Sequence, residues 1–148
     1  MRIAVSADEL TGVARALPDE LRRRGHEPIL HGAYDESERP DWAWASEAAA
    51  RDVAEGRAEQ AVVACWTGTG ASIAANKVDG IRAALCADAQ TADGARKYND
   101  ANVLALSLRA TSQAELEEIL DAWFGGSASS DGADVRNVDH LSEIERTS

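Results

Sequence analysis

The stretch Gln60-Ala61-Val62-Val63-Ala64-Cys65-Trp66-Thr67-Gly68-Thr69-Gly70-Ala71-Ser72-Ile73-Ala74-Ala75-Asn76-Lys77 decides how the chain is built. Gln60 to Ala64 is short, apolar and partly β-branched, as a strand buried on both faces would be. The alanine-rich end reads as helix. Between them lies a tight turn with two glycines, two threonines, a serine and a cysteine. A strand, a glycine-bearing turn and a helix N-terminus together make an anion site. Unpaired backbone N–H groups and the helix dipole converge there on one spot. A cysteine at the mouth of such a turn has its thiolate favoured.

Working outward, the same strand–turn–helix rhythm repeats. Arg2 to Ser6 reads as a strand, and Val13 to Arg24 as an amphipathic helix with Leu17 and Leu21 one turn apart. Glu27 to His31 is a second strand. A polar loop, Gly32 to Pro40, leads into a helix over Asp41 to Glu55. After the central stretch, Ile81 to Cys86 reads as strand four and Asp88 to Tyr98 as a helix capped by Asp88. Asn102 to Leu106 is strand five. Ser112-Gln113-Ala114-Glu115 has the spacing of a capping box and opens a helix to Phe124. Five strands alternating with helices predict an α/β/α sandwich of three layers on a five-stranded parallel sheet. That domain spans residues 1–126. Residues 127–148 read as a flexible link and a terminal amphipathic helix, with Val138, Leu141 and Ile144 apolar. This helix has little local core to join and is expected to pack on a partner subunit.

The bulk numbers narrow the function. The chain has 148 residues and a net charge of −11, from 26 acidic and 15 basic side chains. Such a field disfavours nucleic acid and anionic membrane as partners. Cys65 and Cys86 form no CxxC, and the N-terminus enters a strand directly, so a reduced, cytoplasmic protein is expected. His26, His31 and His140 lack metal-ligand spacing, and no metal or cofactor is expected.

In doubly wound sheets, ligands bind beyond the carboxyl ends of the strands. The residues to weigh there are Asp8, His31, Cys65, Cys86 to Asp88, and Ser107 to Arg109. Cys65 is either a small buried hydrophobe or, at a helix N-terminus, a general base or nucleophile. Asp8 binds hydroxyls or caps a helix. Arg109 clamps an anion with its planar fork or makes a surface ion pair. Thr67-Gly68-Thr69-Gly70 alone is a weak motif, equally a plain tight turn.

Together these residues resemble a known family. Cys65 to Lys77 (C-W-T-G-T-G-A-S-I-A-A-N-K), Gly80 to Cys86, Asn99 to Leu106 and the terminal Arg136 to Glu145 are similar to the ribose-5-phosphate isomerase B / galactose-6-phosphate isomerase family. The resemblance implies a Rossmann-like fold and a homodimer, or tetramer, with its sites at the subunit interface. It implies metal-free aldose–ketose isomerisation of a phosphorylated sugar through an enediolate. By position, Cys65 would be the base and Thr67 would assist at the neighbouring oxygen. Backbone N–H groups from Gly68 through Thr69 and Gly70 to Ser72 would steady the enediolate. Asp8 and Asn99 would hold sugar hydroxyls, and Arg109 and Arg136 the phosphate. Four positions depart from the family pattern. Glu9 stands for a histidine after strand one, and Trp66 for a glycine. Tyr98 replaces the ring-opening histidine, and Ala133 an expected arginine. Ribose 5-phosphate is the expected substrate, with Tyr98 or Glu9 handling ring protons. A tetrose phosphate, which needs no ring opening, and a non-catalytic sugar-phosphate-binding protein stay open as alternatives.

Overall fold

A computed structural model describes residues 1–147. The elements are β1 (Arg2–Ala7), α1 (Leu17–Arg23), β2 (Glu27–Gly32), α2 (Trp42–Ala54), β3 (Gln60–Cys65), α3 (Thr69–Asn76), β4 (Ala83–Leu85), α4 (Ala89–Asn99), β5 (Val103–Ser107), α5 (Gln113–Gly125) and α6 (Gly132–Thr147). The five strands form one parallel sheet in the order β2-β1-β3-β5-β4. The connection from β1 runs outward to β2, and the next strand, β3, lies on the other side of β1. That reversal leaves a crevice at the carboxyl ends of β1 and β3, where ligands settle in such sheets. Asp8 and Cys65 sit at those two strand ends.

Alternation along the strands splits the core in two. Ile3, Val5, Leu104 and Leu106 face a layer with Leu17, Leu21, Leu116, Ile119, Leu120 and Trp123. Ala4, Ala61, Val63 and Ala105 face Ala49, Ala50, Ala71 and Ala75 of α2 and α3. One layer is filled with large side chains; the other is built from alanine and brings its helices close to the sheet. Trp123 is fully buried, and its indole Nε1–H donates to Gln60 Oε1 at 2.9 Å. The caps expected from sequence are present. Asp88 accepts from the Thr91 N–H, and Ser112 and Glu115 close a capping box.

Two expected elements differ. Val13 to Arg24 is not one helix but a short 3-10 turn at Gly12–Ala14 followed by α1. Pro18 stands in the first turn of α1, where its missing N–H costs nothing; further inside a helix it would collide with the preceding turn. The Ala14 carbonyl accepts the Tyr34 hydroxyl instead of a helical amide. Strand four is three residues long, not six. The Ile81 N–H closes a turn on Val78 O, and the Arg82 N–H donates to the Asn102 side chain at 2.8 Å, so pairing begins at Ala83.

The link before α6 is fastened by the Ser129 N–H to Lys97 O at 2.8 Å, and α6 lies along the end of α4. No α6 residue is buried; Val135, Leu141 and Ile144 keep about half their surface in solvent. No helix among the described residues is long and apolar enough to cross a membrane.

Trp123→Ala should cost about 3–5 kcal/mol by urea unfolding, since it opens a large cavity and strands the Gln60 amide. A loss below about 1 kcal/mol would contradict this packing.

Candidate active site

The centre of the site is the turn from β3 into α3. Gly68 has φ +78°, and a Cβ there would lie 2.5 Å from Leu85 Cδ1 and 2.9 Å from the Leu106 carbonyl. Only glycine fits both the conformation and the space. This residue caps α3, and the Ser72 N–H donates to its carbonyl at 3.1 Å. The N–H groups of Thr69, Gly70 and Ala71 precede that bond and have no intrahelical acceptor. They form a cluster of donors at the positive end of a helix dipole. Gly70 is also confined: a Cβ would come within 2.9 Å of the Trp42 ring. The two threonine hydroxyls, Thr67 and Thr69, are 2.8 Å apart.

Neighbouring strand ends hold the turn in place. The Leu108 N–H donates to Cys65 O, and the Arg109 N–H to Trp66 O, both at 2.9 Å; the Ser107 hydroxyl adds a third bond at 3.0 Å. From the other side, the β1 loop presses on β5 through Gly12, whose Cβ would meet Leu108 O at 2.7 Å. The loops after β1, β3 and β5 thus form one packed layer.

Two clefts open on this layer, with Thr67 on the wall of both. One, of about 310 Å³, is lined by Asp8, Trp42, Cys65, Trp66, Thr67, Thr69 and Gly70. Cys65 is 5% exposed. Asp8 Oδ1 is buried without a hydrogen-bond donor, and burial, then the Glu9 charge, raises its carboxyl above the ordinary range. It is an acceptor waiting for a donor such as a hydroxyl. The indoles of Trp42 and Trp66 flank the cleft and are about half exposed. The second cleft, of about 470 Å³, holds Leu85, Cys86, Ser107, Arg109 and Glu115. Arg109 is exposed, and its guanidinium has no carboxylate partner among the described residues. The Cys86 thiol is pushed up to about 11 by burial, which makes it a poor nucleophile.

Asp8, Cys65, Trp66, Thr67, Gly68, Thr69 and Gly70 are therefore brought together, with Glu9 exposed beside Asp8 and Arg109 in the adjoining cleft. The Ser72 amide is already engaged, so the free donors end at Ala71. Tyr98, Asn99 and Arg136 stand elsewhere. The helix α4 starts at the carboxyl edge of the sheet and runs back, which leaves Asn99 beside Asn76, Arg82 and Ala101 at the amino edge. Tyr98 shares a groove with Val135 and Val138 of α6, and Arg136 is exposed on that helix. Sequence reasoning missed Trp42. Its signal was an aromatic residue opening a helix just after Pro40-Asp41, at the carboxyl edge.

The family model for Ribose/Galactose Isomerase matches residues 3–141. Galactose-6-phosphate isomerase subunit LacB of Clostridium acetobutylicum is 39% identical over 124 residues, covering 83% of this chain and 71% of its own. Ribose-5-phosphate isomerase B of Escherichia coli is 37% identical over 126 residues, covering 85% and 83%. The solved structure of Clostridium thermocellum ribose-5-phosphate isomerase B superposes with a TM-score of 0.91 at 34% identity, over 99% of each chain. With that agreement of sequence and fold, the chain belongs to the ribose/galactose isomerase family.

Proposed function

We propose that this protein interconverts an aldose phosphate and its ketose, with ribose 5-phosphate and ribulose 5-phosphate as the pair, and that Cys65 moves the proton. The observation that carries this reading is the Cys65 thiol at the mouth of a turn with three unclaimed N–H donors. The thiolate removes the proton from C2 of the open-chain aldose, and the electron pair moves onto O1. The resulting enediolate is negatively charged on oxygen, where the amides of Thr69 to Ala71 and the Thr67 hydroxyl can donate. Preorganised donors aimed at developing charge are commonly a large catalytic term. The thiol then returns the proton to C1 while the O2 proton passes to O1, so the carbonyl ends on C2 and O1 becomes a hydroxyl. Asp8 accepts a sugar hydroxyl. The chain of the sugar passes Thr67, and its phosphate reaches the unpaired Arg109 in the second cleft.

The remaining candidates come from a second copy in this reading. Tyr98, Asn99 and Arg136 lie at the edge away from Cys65, so only another protomer can bring them to it. Half-exposed Val135, Leu141 and Ile144 on α6, and exposed Ile73 and Leu85, support a homodimer in which residues 127–148 pack across the partner. Two unpaired thiols suit the reducing cytoplasm. One observation favours a shorter substrate as a second reading: the Trp66 indole walls the cleft beside Cys65.

Wild-type protein should exchange the C2 proton of ribose 5-phosphate in heavy water, and Cys65→Ala should lower that exchange about 10²–10⁴-fold, the range for a general base. Full exchange by Cys65→Ala would exclude the thiol as base; its loss with retained sugar-phosphate binding would fit the role. Trp66→Gly should shift kcat/KM toward ribose 5-phosphate relative to a tetrose phosphate. An unchanged ratio would remove Trp66 as a specificity wall.

A further inference from the structure

His31 is the buried titratable group that the proton-transfer chemistry does not use. It ends β2, and its side chain is 15% exposed. Both ring nitrogens face carboxylates. Nε2 is 2.6 Å from Asp52 Oδ2, and Nδ1 is 3.0 and 3.1 Å from the two oxygens of Glu38. An ionised carboxylate only accepts, so both contacts are hydrogen bonds when both nitrogens carry a proton. The surrounding charges agree. Asp52, on α2, also receives Arg57 Nε at 2.7 Å. Asp35, on the loop after β2, also faces the ring and is held by the hydroxyl and amide of Ser37. The carboxylates of Asp52, Glu38 and Asp35 surround the ring against the single guanidinium of Arg57, which also pairs with Glu55.

The two carboxylates belong to the segments that set the position of Trp42. Glu38 is four residues before Trp42, and it also accepts the Gly32 N–H at 3.1 Å, which folds residues 33–40 back onto β2. Asp52 fixes the far half of α2, the helix that Trp42 opens. At Gly32 the chain is pressed between β1 and α2: a Cβ there would lie 2.5 Å from Ala7 O and 2.7 Å from Ala45 Cβ. Ala7 directly precedes Asp8. Trp42 in turn lies on Gly70, one of the residues with a free amide.

We propose that His31 is a positioning residue of this site: by gripping Glu38 and Asp52 together, it holds the Trp42 wall against the α3 turn. Removing the imidazole takes away both grips. Asp52 is 6% exposed and keeps Arg57, whereas Glu38 is 28% exposed, so Glu38 is the partner released to water. The loop 33–41 then loosens, and Trp42 moves off Gly70.

Fluorine NMR of protein carrying fluorotryptophan tests this without reference to activity, with the Trp42 resonance assigned by Trp42→Phe. In His31→Gln that resonance should shift from its wild-type position, while buried Trp123 stays fixed and reports an intact core. Glu38→Ala, which removes the other end of one grip, should shift the Trp42 resonance in the same direction. A Trp42 resonance at its wild-type position in His31→Gln would overturn the proposal. The kinetic counterpart rests on the isomerase reading. His31→Gln should raise KM about 5-fold or more with kcat within about 2-fold. An unchanged KM, or an equal fall in kcat, would reject the positioning role; absence of isomerisation in the wild type would reject the isomerase reading and leave the NMR result standing.

Discussion

The close approach at Gly68 is the constraint on which the rest of the site depends. Its backbone passes over the Leu106 carbonyl and under Leu85 with no room for a side chain, in a left-handed conformation that other residues adopt at a cost of about 1–2 kcal/mol. That path turns the chain at once from β3 into α3. It leaves the first amides of α3 without an intrahelical acceptor, with Thr69 and Gly70 on the wall of the cleft beside Cys65. Any residue with a Cβ would push the turn away from β5 and misdirect those donors, even if the fold survived.

The uneven core makes that turn reachable. On the face of α2 and α3 the side chains are alanines, so both helices sit close to the sheet and to each other. This closeness puts the Trp42 ring on Gly70 and gives the cleft its wall. The opposite face, filled by Leu17, Leu116, Leu120 and Trp123, supplies most of the buried apolar surface, at about 25 cal/mol per Å². Stability is thus concentrated on one side of the sheet and binding geometry on the other.

Much of this was legible in the sequence because it is local. Period, caps and glycine turns placed the five strands and the capping box at Ser112 within one or two residues. The break before α1 was missed because the alternation of Leu17 and Leu21 continues through Pro18, and periodicity does not register a missing N–H. Strand four was overextended because Ile81 and Cys86 are buried like strand residues although one closes a turn and the other lies past the ladder. At the site, Cys65 and Asp8 could be named from the turn chemistry and the strand ends, and Thr67 and the donors from Gly68 onward took their roles from the family resemblance. Trp42 and the His31 contacts could not. They depend on how the loop 33–40 folds back, which no short-range pattern encodes.

Tyr98, Asn99 and Arg136 define the other half of the reading. They sit at the amino edge of the sheet, separated from Cys65 by the length of the strands at about 3.3 Å per residue. In the proposed homodimer, one site made from the α3 turn of one protomer and the α4–α6 end of another would reconcile their resemblance to site residues with their location. Subunit mixing tests that claim most directly. Cys65→Ala and Asn99→Ala homodimers, each inactive alone, should regain up to about one quarter of wild-type activity when unfolded and refolded together, because half of the dimers are mixed and each carries one intact site. No recovery, with mixed dimers demonstrated by native mass, would contradict a shared site.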